Sequence, residues 1–239
     1  MQKNIKIFSD PQSVAKNFSE YFIQLASHKT KFNVALSGGS TPKIIFDYLA
    51  EKYPQASTWH NIHLYWGDER CVPPNDDDSN FKMTKQHLLD KIEIPSQNIH
   101  RIKGESIPQE ESGRYALELS NNLPLKKEVP IFDLVILGMG DDGHTASIFP
   151  DQLELLESSN ICEVATHPIS GQKRITLTGR VINNAGEIIF LVTGGKKKEK
   201  VSEIIQETGN FKNYPANYVK PLNGKLGWYL DQAAAGLLT

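Results

Sequence analysis

The sequence predicts an α/β fold, with an open, mostly parallel, Rossmann-like sheet that carries helices on both faces. Short β-branched runs alternate with amphipathic stretches of helical length, and this alternation is typical of a parallel sheet. One run, residues 131–137, is almost entirely apolar, as expected for a central strand that is buried on both faces. Because no linker or internal repeat interrupts the 239 residues, we expect one domain over residues 1–239.

The first half of the chain supplies strands that alternate with helices. A helix is predicted over residues 11–27, where apolar side chains recur at helical spacing. A second helix follows the turn at residues 37–40, with Pro42 near its first turn. Ser79 can cap a third helix after a polar loop over residues 67–78. The strands of this half are predicted at residues 5–8, 33–36 and 62–66.

The second half continues the pattern. One strand leads into a helix from about residue 196 to residue 207, and a short helix at residues 233–238 closes the chain. The strands of this half are predicted at residues 131–137, 174–178, 187–193 and 226–230.

Four polar segments follow predicted strands. In open α/β sheets, ligands bind beyond the carboxyl ends of the strands. Four loops at that rim therefore make a candidate binding site. The segments are residues 37–43, 67–78, 138–147 and 193–197.

The first of these segments has the composition of an anion-binding turn. Gly38 and Gly39 let the backbone approach an anion, which free amide groups and the helix dipole can hold. The hydroxyls of Ser40 and Thr41 can add hydrogen bonds. An ordinary strand-to-helix turn with a Ser or Thr cap explains this segment equally well.

Residues 138–147 match the G-x-G-x-x-G pattern of dinucleotide sites. Asp141 and Asp142 would place negative charge where a pyrophosphate should lie, and Pro150 would cut the following helix short, so we disfavour a dinucleotide. His144 beside Asp142 instead indicates a general base that a carboxylate holds in one tautomer. A loop histidine that is bonded only to its surroundings is the alternative.

Cationic side chains occupy the two remaining segments. Arg70 offers a planar fork for phosphate or carboxylate oxygens, although an internal salt bridge with Asp68 or Glu69 fits the spacing equally well. One lysine of a short run can reach a bound anion, while the others are expected to be solvated. The candidates are Lys196, Lys197 and Lys198.

Composition narrows the function classes. Lys plus Arg number 26 against 28 Asp plus Glu, for a net charge of −2. Nucleic-acid binders usually carry a basic excess, so we expect no nucleic-acid partner. No run approaches 18 apolar residues, and residues 1–10 lack the apolar core of a signal peptide, so we expect no membrane span and a cytoplasmic protein. Cys71 and Cys162 match no disulfide or metal-ligand spacing.

Several of these motifs together resemble the 6-phosphogluconolactonase family, within the superfamily of glucosamine-6-phosphate isomerases and 6-phosphogluconolactonases. The resemblance runs in order from about residue 5 to residue 238 and is most specific at residues 138–150. The motifs that carry it are Ser37-Gly38-Gly39-Ser40-Thr41-Pro42, Gly67-Asp68-Glu69-Arg70-Cys71-Val72-Pro73 with Ser79-Asn80, Gly138-Met139-Gly140-Asp141-Asp142-Gly143-His144-Thr145-Ala146-Ser147-Ile148-Phe149-Pro150, Arg174-Ile175-Thr176-Leu177-Thr178, Thr193-Gly194 with Lys197, and Trp228-Tyr229-Leu230-Asp231 with Ala233-Ala234.

The resemblance implies a fold of the sugar-phosphate isomerase type and hydrolysis of 6-phospho-D-glucono-1,5-lactone in the oxidative pentose phosphate pathway. It implies no metal and no organic cofactor, and it leaves open whether the protein is a monomer or a dimer. His144 would be the base, Asp142 would orient it or the substrate, and Arg70 would neutralise charge near the reacting end or the phosphate. The substrate and its phosphate would contact Gly38, Gly39, Ser40, Thr41, Asp68, Arg174 and Lys197.

Two alternatives compete with the lactonase. Glucosamine-6-phosphate deaminases resemble this chain at the phosphate loop and at Gly-x-Asp-Gly-His, but they typically continue with a Phe-Asn-Glu-Pro-like stretch that supplies a glutamate. Residues 145–150 contain no glutamate, which favours the lactonase. A sugar-phosphate sensor would normally accompany a DNA-binding segment, for which a first strand near Ile5 is expected to leave no room.

Overall fold

The computed structural model describes residues 4–238, so residues 1–3 and 239 of the predicted domain lie outside the described residues. The helix predicted from about residue 196 to residue 207 is observed as a 3-10 turn, Gly195–Lys197, followed by an α-helix, Lys198–Gln206. The strands are β1 (Asn4–Phe8), β2 (Phe32–Leu36), β3 (Ile62–Trp66), β4 (Asp68–Arg70), β5 (Ile99–His100), β6 (Leu125–Lys126), β7 (Val129–Pro130), β8 (Leu134–Leu137), β9 (Cys162–Thr166), β10 (Lys173–Leu177), β11 (Glu187–Val192) and β12 (Lys225–Asp231). The helices are α1 (Pro11–Ser27), α2 (Ser40–Lys52), α3 (Asn80–His87), α4 (Pro108–Asn122), α5 (Gly179–Ile182) and α6 (Lys198–Gln206).

Seven strands form one sheet in the order β1-β12-β11-β8-β2-β3-β5. Every neighbouring pair in it is parallel. β8 is the fourth of the seven strands, and all of its residues are buried. Its neighbour β2 is also buried along its whole length, as expected for strands covered on both faces. These observations confirm the α/β class and the central position of the apolar run.

The direction of the chain connections reverses between β2 and β8. From β2 the chain moves outward to β3 and β5, whereas from β8 it moves the opposite way to β11 and β12. Because connections between parallel strands are right-handed, α1, α2 and α3 cover one face while α4 and α6 cover the other. In agreement, α2 contacts both α1 and α3. A crevice therefore opens at the carboxyl ends of β2 and β8, where sheets of this class bind ligands.

Two helices begin at capping residues that the sequence shows. Asp10 caps α1 by accepting a hydrogen bond of 2.7 Å from the Ser13 amide, and Pro11 occupies the first turn. Ser79 caps α3 by accepting a 3.1 Å bond from the Lys82 amide. Both helix starts were predicted, and α1 has the predicted length.

A separate antiparallel sheet, in the order β4-β10-β9, adjoins the rim of the main sheet. The loop predicted at residues 67–78 is therefore wrong in part, because β4 lies within it. The strand predicted at residues 174–178 is observed as β10, but it pairs with β4 and β9 instead of joining the parallel sheet. This pairing sets Arg174 directly opposite Arg70, and so brings two positive charges to the candidate site.

The helix predicted at residues 233–238 is wrong. The Ala235 amide donates a 3.0 Å bond to the Asp231 carbonyl, but the Leu238 amide bonds to the Ala235 carbonyl at 2.8 Å, so the chain forms successive turns. One helical bond does not repay the cost of nucleating a helix. The side chain of Asp231 also accepts the Ala234 amide at 2.7 Å, which holds the segment in this form.

Candidate active site

A cleft lies at the carboxyl ends of β2 and β8, where the connections reverse. The segments predicted from the sequence to share one rim all contribute to it. Asp142 is the one predicted site residue that does not line the cleft, although it contacts a residue that does. The lining residues are Ser37, Gly38, Gly39, Ser40, Thr41, Pro42, Asp68, Arg70, Asn80, Gly138, Met139, Gly140, His144, Ala146, Arg174, Leu191, Val192, Thr193 and Lys197.

The N-terminus of α2 supplies amide groups to this cleft. The first hydrogen bond of the helix runs from the Lys43 amide to the Gly39 carbonyl, so the amides of Ser40 and Thr41 have no acceptor within the helix. Within residues 4–238, no side chain caps this helix. The Thr41 hydroxyl lies 2.8 Å from the Thr193 hydroxyl, which joins the α2 and β11 sides. Free amides and the positive end of a helix dipole form an anion site.

Residues 138–147, here called the His144 loop, fold back tightly after β8. The Gly140 amide donates to the His144 carbonyl at 2.9 Å, and the Thr145 hydroxyl donates to the Gly138 carbonyl at 2.9 Å. A Cβ atom on Gly140 would lie 2.2 Å from the His144 ring. Glycine at this position is therefore what lets the imidazole lie against the backbone of its own loop.

His144 and Asp142 form a close pair. His144 Nδ1 lies 2.6 Å from Asp142 Oδ1, and the same oxygen accepts the His144 amide at 3.1 Å. Burial alone would raise the pKa of Asp142, but the hydrogen bond and charge of His144 lower it to about 2. The carboxylate is therefore ionised at neutral pH and fixes Nδ1 as the bonded nitrogen, which leaves Nε2 for a proton transfer.

Two arginines face each other at the rim. Arg70 and Arg174 are paired across β4 and β10, and neither buried Nε atom has a hydrogen-bond partner among residues 4–238. Burial lowers the pKa of Arg174, and the charge of Arg70 lowers it further. The Arg174 guanidinium also lies over the Phe149 ring, 5.5 Å from its centroid. Two adjacent cations with unused donors favour an anionic ligand.

The acids next to Arg70 in the sequence bond elsewhere. The Arg70 guanidinium donates to the Asp78 carbonyl, and Asp68 accepts a 2.7 Å bond from the Ser147 hydroxyl. Because Ser147 belongs to the His144 loop, this bond joins β4 to that loop. Asp68 is buried and lines the cleft. The salt bridge considered for Arg70 with its neighbours is not formed, and the guanidinium still lines the cleft.

Glu69 was not predicted as a site residue, yet it positions Arg70. Its buried carboxylate accepts the Arg70, Asn80 and Phe81 amides at 2.7, 2.8 and 2.8 Å, and the Ser79 hydroxyl at 3.1 Å. Burial raises the pKa of Glu69, while these backbone bonds act in the opposite direction. Glu69 thereby joins β4 to the N-terminus of α3, where a negative charge is favourable.

Asn80 was also missed as a lining residue. Its Nδ2 donates to the Asp68 carbonyl at 3.0 Å, so it supports β4 from the α3 side. The Ser79-Asn80 pair at a helix start was the available signal.

Lys197 is the lysine of its run that lines the cleft, while Lys196 and Lys198 are exposed. The ammonium group of Lys197 donates to the Met139 carbonyl and lies 3.3 Å from Asp141 Oδ1. Both partners belong to the His144 loop. The side chain therefore connects the start of α6 to that loop.

Tyr214, which does not line the cleft, packs against Gly143 of the His144 loop and was not predicted. Gly143 has a φ of 84°, and a Cβ atom there would lie 2.7 Å from the Tyr214 ring. The Ala216 amide donates to the Gly143 carbonyl at 3.1 Å, and the Tyr214 hydroxyl bonds to Glu203 of α6. Such a contact arises only in three dimensions, so no spacing in the sequence could show it.

Residues 4–238 contain no cluster of metal ligands, no membrane-spanning helix and no disulfide. Within residues 4–238, no group of three or more His, Cys, Asp or Glu side chains could hold a metal ion. None of the helices in that range has the length and apolar character needed to cross a membrane. Cys71 and Cys162 are free. Burial raises the pKa of Cys71 to about 11 and raises that of Cys162 further, which disfavours the nucleophilic thiolate.

Known proteins resemble the chain over nearly its whole length. The family described as "Glucosamine-6-phosphate isomerases/6-phosphogluconolactonase" matches residues 9–228. A "6-phosphogluconolactonase" of Haemophilus influenzae is 42% identical over 97% of this chain and 98% of that protein. A protein of the same name from Nostoc is 35% identical over 100% of both chains.

Solved structures agree with the sequence comparisons. The 6-phosphogluconolactonase of Trypanosoma brucei superposes with a TM-score of 0.88 at 28% identity, covering 100% of this chain and 99% of that one. A monomeric glucosamine-6-phosphate deaminase superposes with a TM-score of 0.82 at 17% identity, covering 98% and 99%. At that identity the deaminase shares the fold alone.

Proposed function

The chain belongs to the family of glucosamine-6-phosphate isomerases and 6-phosphogluconolactonases, and we infer that it is a 6-phosphogluconolactonase. It hydrolyses 6-phospho-D-glucono-1,5-lactone to 6-phospho-D-gluconate in the pentose phosphate pathway, as a carboxylic-ester hydrolase. The observation that carries this assignment is the full-length match to curated 6-phosphogluconolactonases. The substrate is a sugar-phosphate lactone, and the roles proposed for individual residues in binding and hydrolysing it follow.

The phosphate group lies, in this proposal, between the N-terminus of α2 and two cations. The amides of Ser40 and Thr41, together with the hydroxyl of Thr41, bind phosphate oxygens, and the backbone at Gly38 and Gly39 permits the close approach. Arg174 and Lys197 supply charge-assisted hydrogen bonds. The support for this arrangement is that all these groups line one cleft and that the Arg174 Nε is buried without a partner among residues 4–238.

His144 acts as the general base. Its Nε2 takes a proton from a water molecule as the water oxygen forms a bond to the lactone carbonyl carbon. The ring C–O bond of the resulting tetrahedral oxyanion then breaks, and the imidazolium returns the proton to the departing ring oxygen. Asp142 holds the ring through Nδ1 and stabilises the imidazolium. The 2.6 Å contact between the two side chains supports these roles.

Arg70 stabilises the negative charge that develops on the carbonyl oxygen. Its position opposite Arg174 and its free Nε support this role. Asp68 accepts a hydrogen bond from a hydroxyl group of the sugar through Oδ1, since Ser147 donates to Oδ2.

Residues 1–239 act as one domain in this proposal. The two free thiols support a reducing compartment such as the cytoplasm.

The deaminase alternative requires a carboxylate that the structure does not offer in the expected place. Residues 145–150 contain no acid, and Ile148 and Phe149 there are fully buried. The sensor alternative predicts binding without turnover.

A coupled assay separates the lactonase from the sensor. Glucose-6-phosphate dehydrogenase generates the lactone, and 6-phosphogluconate dehydrogenase reports its hydrolysis beyond the spontaneous rate. We expect strong acceleration, which would be much weaker for the unphosphorylated lactone. Hydrolysis at the spontaneous rate, with the lactone or 6-phosphogluconate still bound, would favour the sensor.

A further inference from the structure

Asp141 is the acidic residue of the His144 loop that the mechanism does not use. Its neighbour Asp142 is committed to His144, whereas Asp141 forms an ion pair with the proposed phosphate ligand Lys197 at 3.3 Å. The Asp141 side chain is 67% exposed and that of Lys197 is 24% exposed. The carboxylate is therefore the more exposed member of the pair.

This contact sets Asp141 in competition with a phosphate group. A phosphate oxygen that binds Lys197 occupies the same side of the ammonium group that Asp141 occupies, or it lies next to a fixed negative charge. The Met139 carbonyl can remain bound, because an ammonium group has three donors and a neutral carbonyl does not repel an anion. Of the two partners of Lys197, the Asp141 carboxylate is therefore the one whose charge opposes a bound phosphate group.

We propose that Asp141 lowers the affinity of the cleft for the phosphate group of substrate and product by competing for Lys197. The proposal rests on the proposed function, because that function makes Lys197 a phosphate ligand. Its consequence is faster release of 6-phosphogluconate, which carries the same phosphate as the substrate. The pair also keeps Lys197 ordered against the His144 loop when no ligand is bound.

The test is calorimetric binding of 6-phosphogluconate at low ionic strength. Replacement Asp141→Asn is expected to lower Kd by about two- to fivefold, the range for partly exposed ion pairs. Asp141→Glu keeps the charge and is expected to have the Kd of the wild type. Asp151→Asn is the matched control, since Asp151 is also exposed and bonds only to Gln152 among residues 4–238; its Kd is expected to equal that of the wild type.

The same replacement in a Lys197→Ala background isolates the pair. We expect Asp141→Asn to have no effect on Kd there. An unchanged or higher Kd in the single variant, or an equal decrease in the Lys197→Ala background or in Asp151→Asn, would overturn the proposal.

Lactone hydrolysis and 6-phosphogluconate binding are measured separately, so failure of the proposed function can be distinguished from failure of the competition at Lys197. Wild-type protein that binds 6-phosphogluconate but does not speed lactone hydrolysis would refute the lactonase, while the binding cycle would still support or refute competition at Lys197. Wild-type protein that binds neither 6-phosphogluconate nor inorganic phosphate would refute both.

Discussion

Gly140→Ala tests whether the imidazole of His144 must lie where the structure has it. Gly140 is adjacent to the ring, and the added Cβ would lie 2.2 Å from His144 Nδ1 and Cε1 and 2.7 Å from Asp142 Oδ1. Ordinary contacts between such atoms need about 3.5 Å, so the ring or the loop must shift by roughly 1 Å. Gly140 does not have a left-handed φ, so the backbone itself accepts alanine.

The shift predicts a large loss of rate with little loss of binding. A displacement of about 1 Å in a catalytic group lowers the rate by about 10²-fold, which corresponds to about 2.7 kcal/mol of activation free energy. We expect kcat of Gly140→Ala to fall by about this factor, while KM changes less, because Ser40, Thr41 and Arg174 lie outside the His144 loop. The coupled assay measures both constants.

The control is Gly113→Ala in α4, where an added Cβ meets no atom within 4 Å. Alanine there is expected to raise the stability by about 0.5–1 kcal/mol, since glycine is unfavourable within a helix, and to leave kcat unchanged. Thermal unfolding of both variants separates a displaced ring from a destabilised protein. A Gly140→Ala protein with wild-type kcat would refute the geometric argument for His144.

Three further predictions test the pairing of Asp142, the phosphate ligands and the choice between the two activities. Asp142→Asn should lower kcat in part, because the carboxylate, whose pKa is lowered to about 2 so that it is ionised at neutral pH, holds His144 Nδ1 at 2.6 Å and orients the ring; a kcat equal to that of the wild type would refute this pairing. Arg174→Ala and Lys197→Ala should raise KM for the phosphorylated lactone and leave KM for the unphosphorylated lactone unchanged; equal effects on both lactones would contradict phosphate anchoring. Purified protein should release no ammonia from glucosamine 6-phosphate in a glutamate-dehydrogenase assay, and robust release would reverse the choice between the two activities.

Strands with a strong pattern were predictable, whereas short strands that depend on a partner were not. The run at β8 is apolar throughout, so its central position followed from burial alone. β4 is the three-residue segment Asp68–Arg70, which has no apolar periodicity and exists because β10 pairs with it. Nothing local in the sequence reports such a pairing.

Helices show the same division. α1 carries a cap, a proline in its first turn and a regular apolar face, and it was predicted with correct ends. α4 has a low apolar content, and its inward face includes the polar residues Glu111 and Ser112. The burial of Glu111 depends on the Arg114 side chain, which bonds to it at 2.6 Å. A rule that reads apolar spacing does not detect this face.

The site divides between residues that carry chemistry and residues that position them. His144, Arg70 and Lys197 follow strands in glycine-containing loops, and the order of strands in the fold brings them to one rim. Glu69 and Tyr214 act on these side chains through contacts between distant segments. Their roles therefore appear only in the folded structure.

The central claim is that His144 removes a proton from the attacking water while other groups bind the sugar phosphate. The most direct measurement compares His144→Gln with the wild type in two assays: kcat for 6-phosphogluconolactone and calorimetric Kd for 6-phosphogluconate. The account predicts that kcat falls by about 10²–10⁴-fold, the usual contribution of a positioned acid–base group, while Kd stays within about twofold because the phosphate ligands are intact. A His144→Gln protein with near-normal kcat, or one whose lost rate is matched by an equal loss of binding, would contradict it.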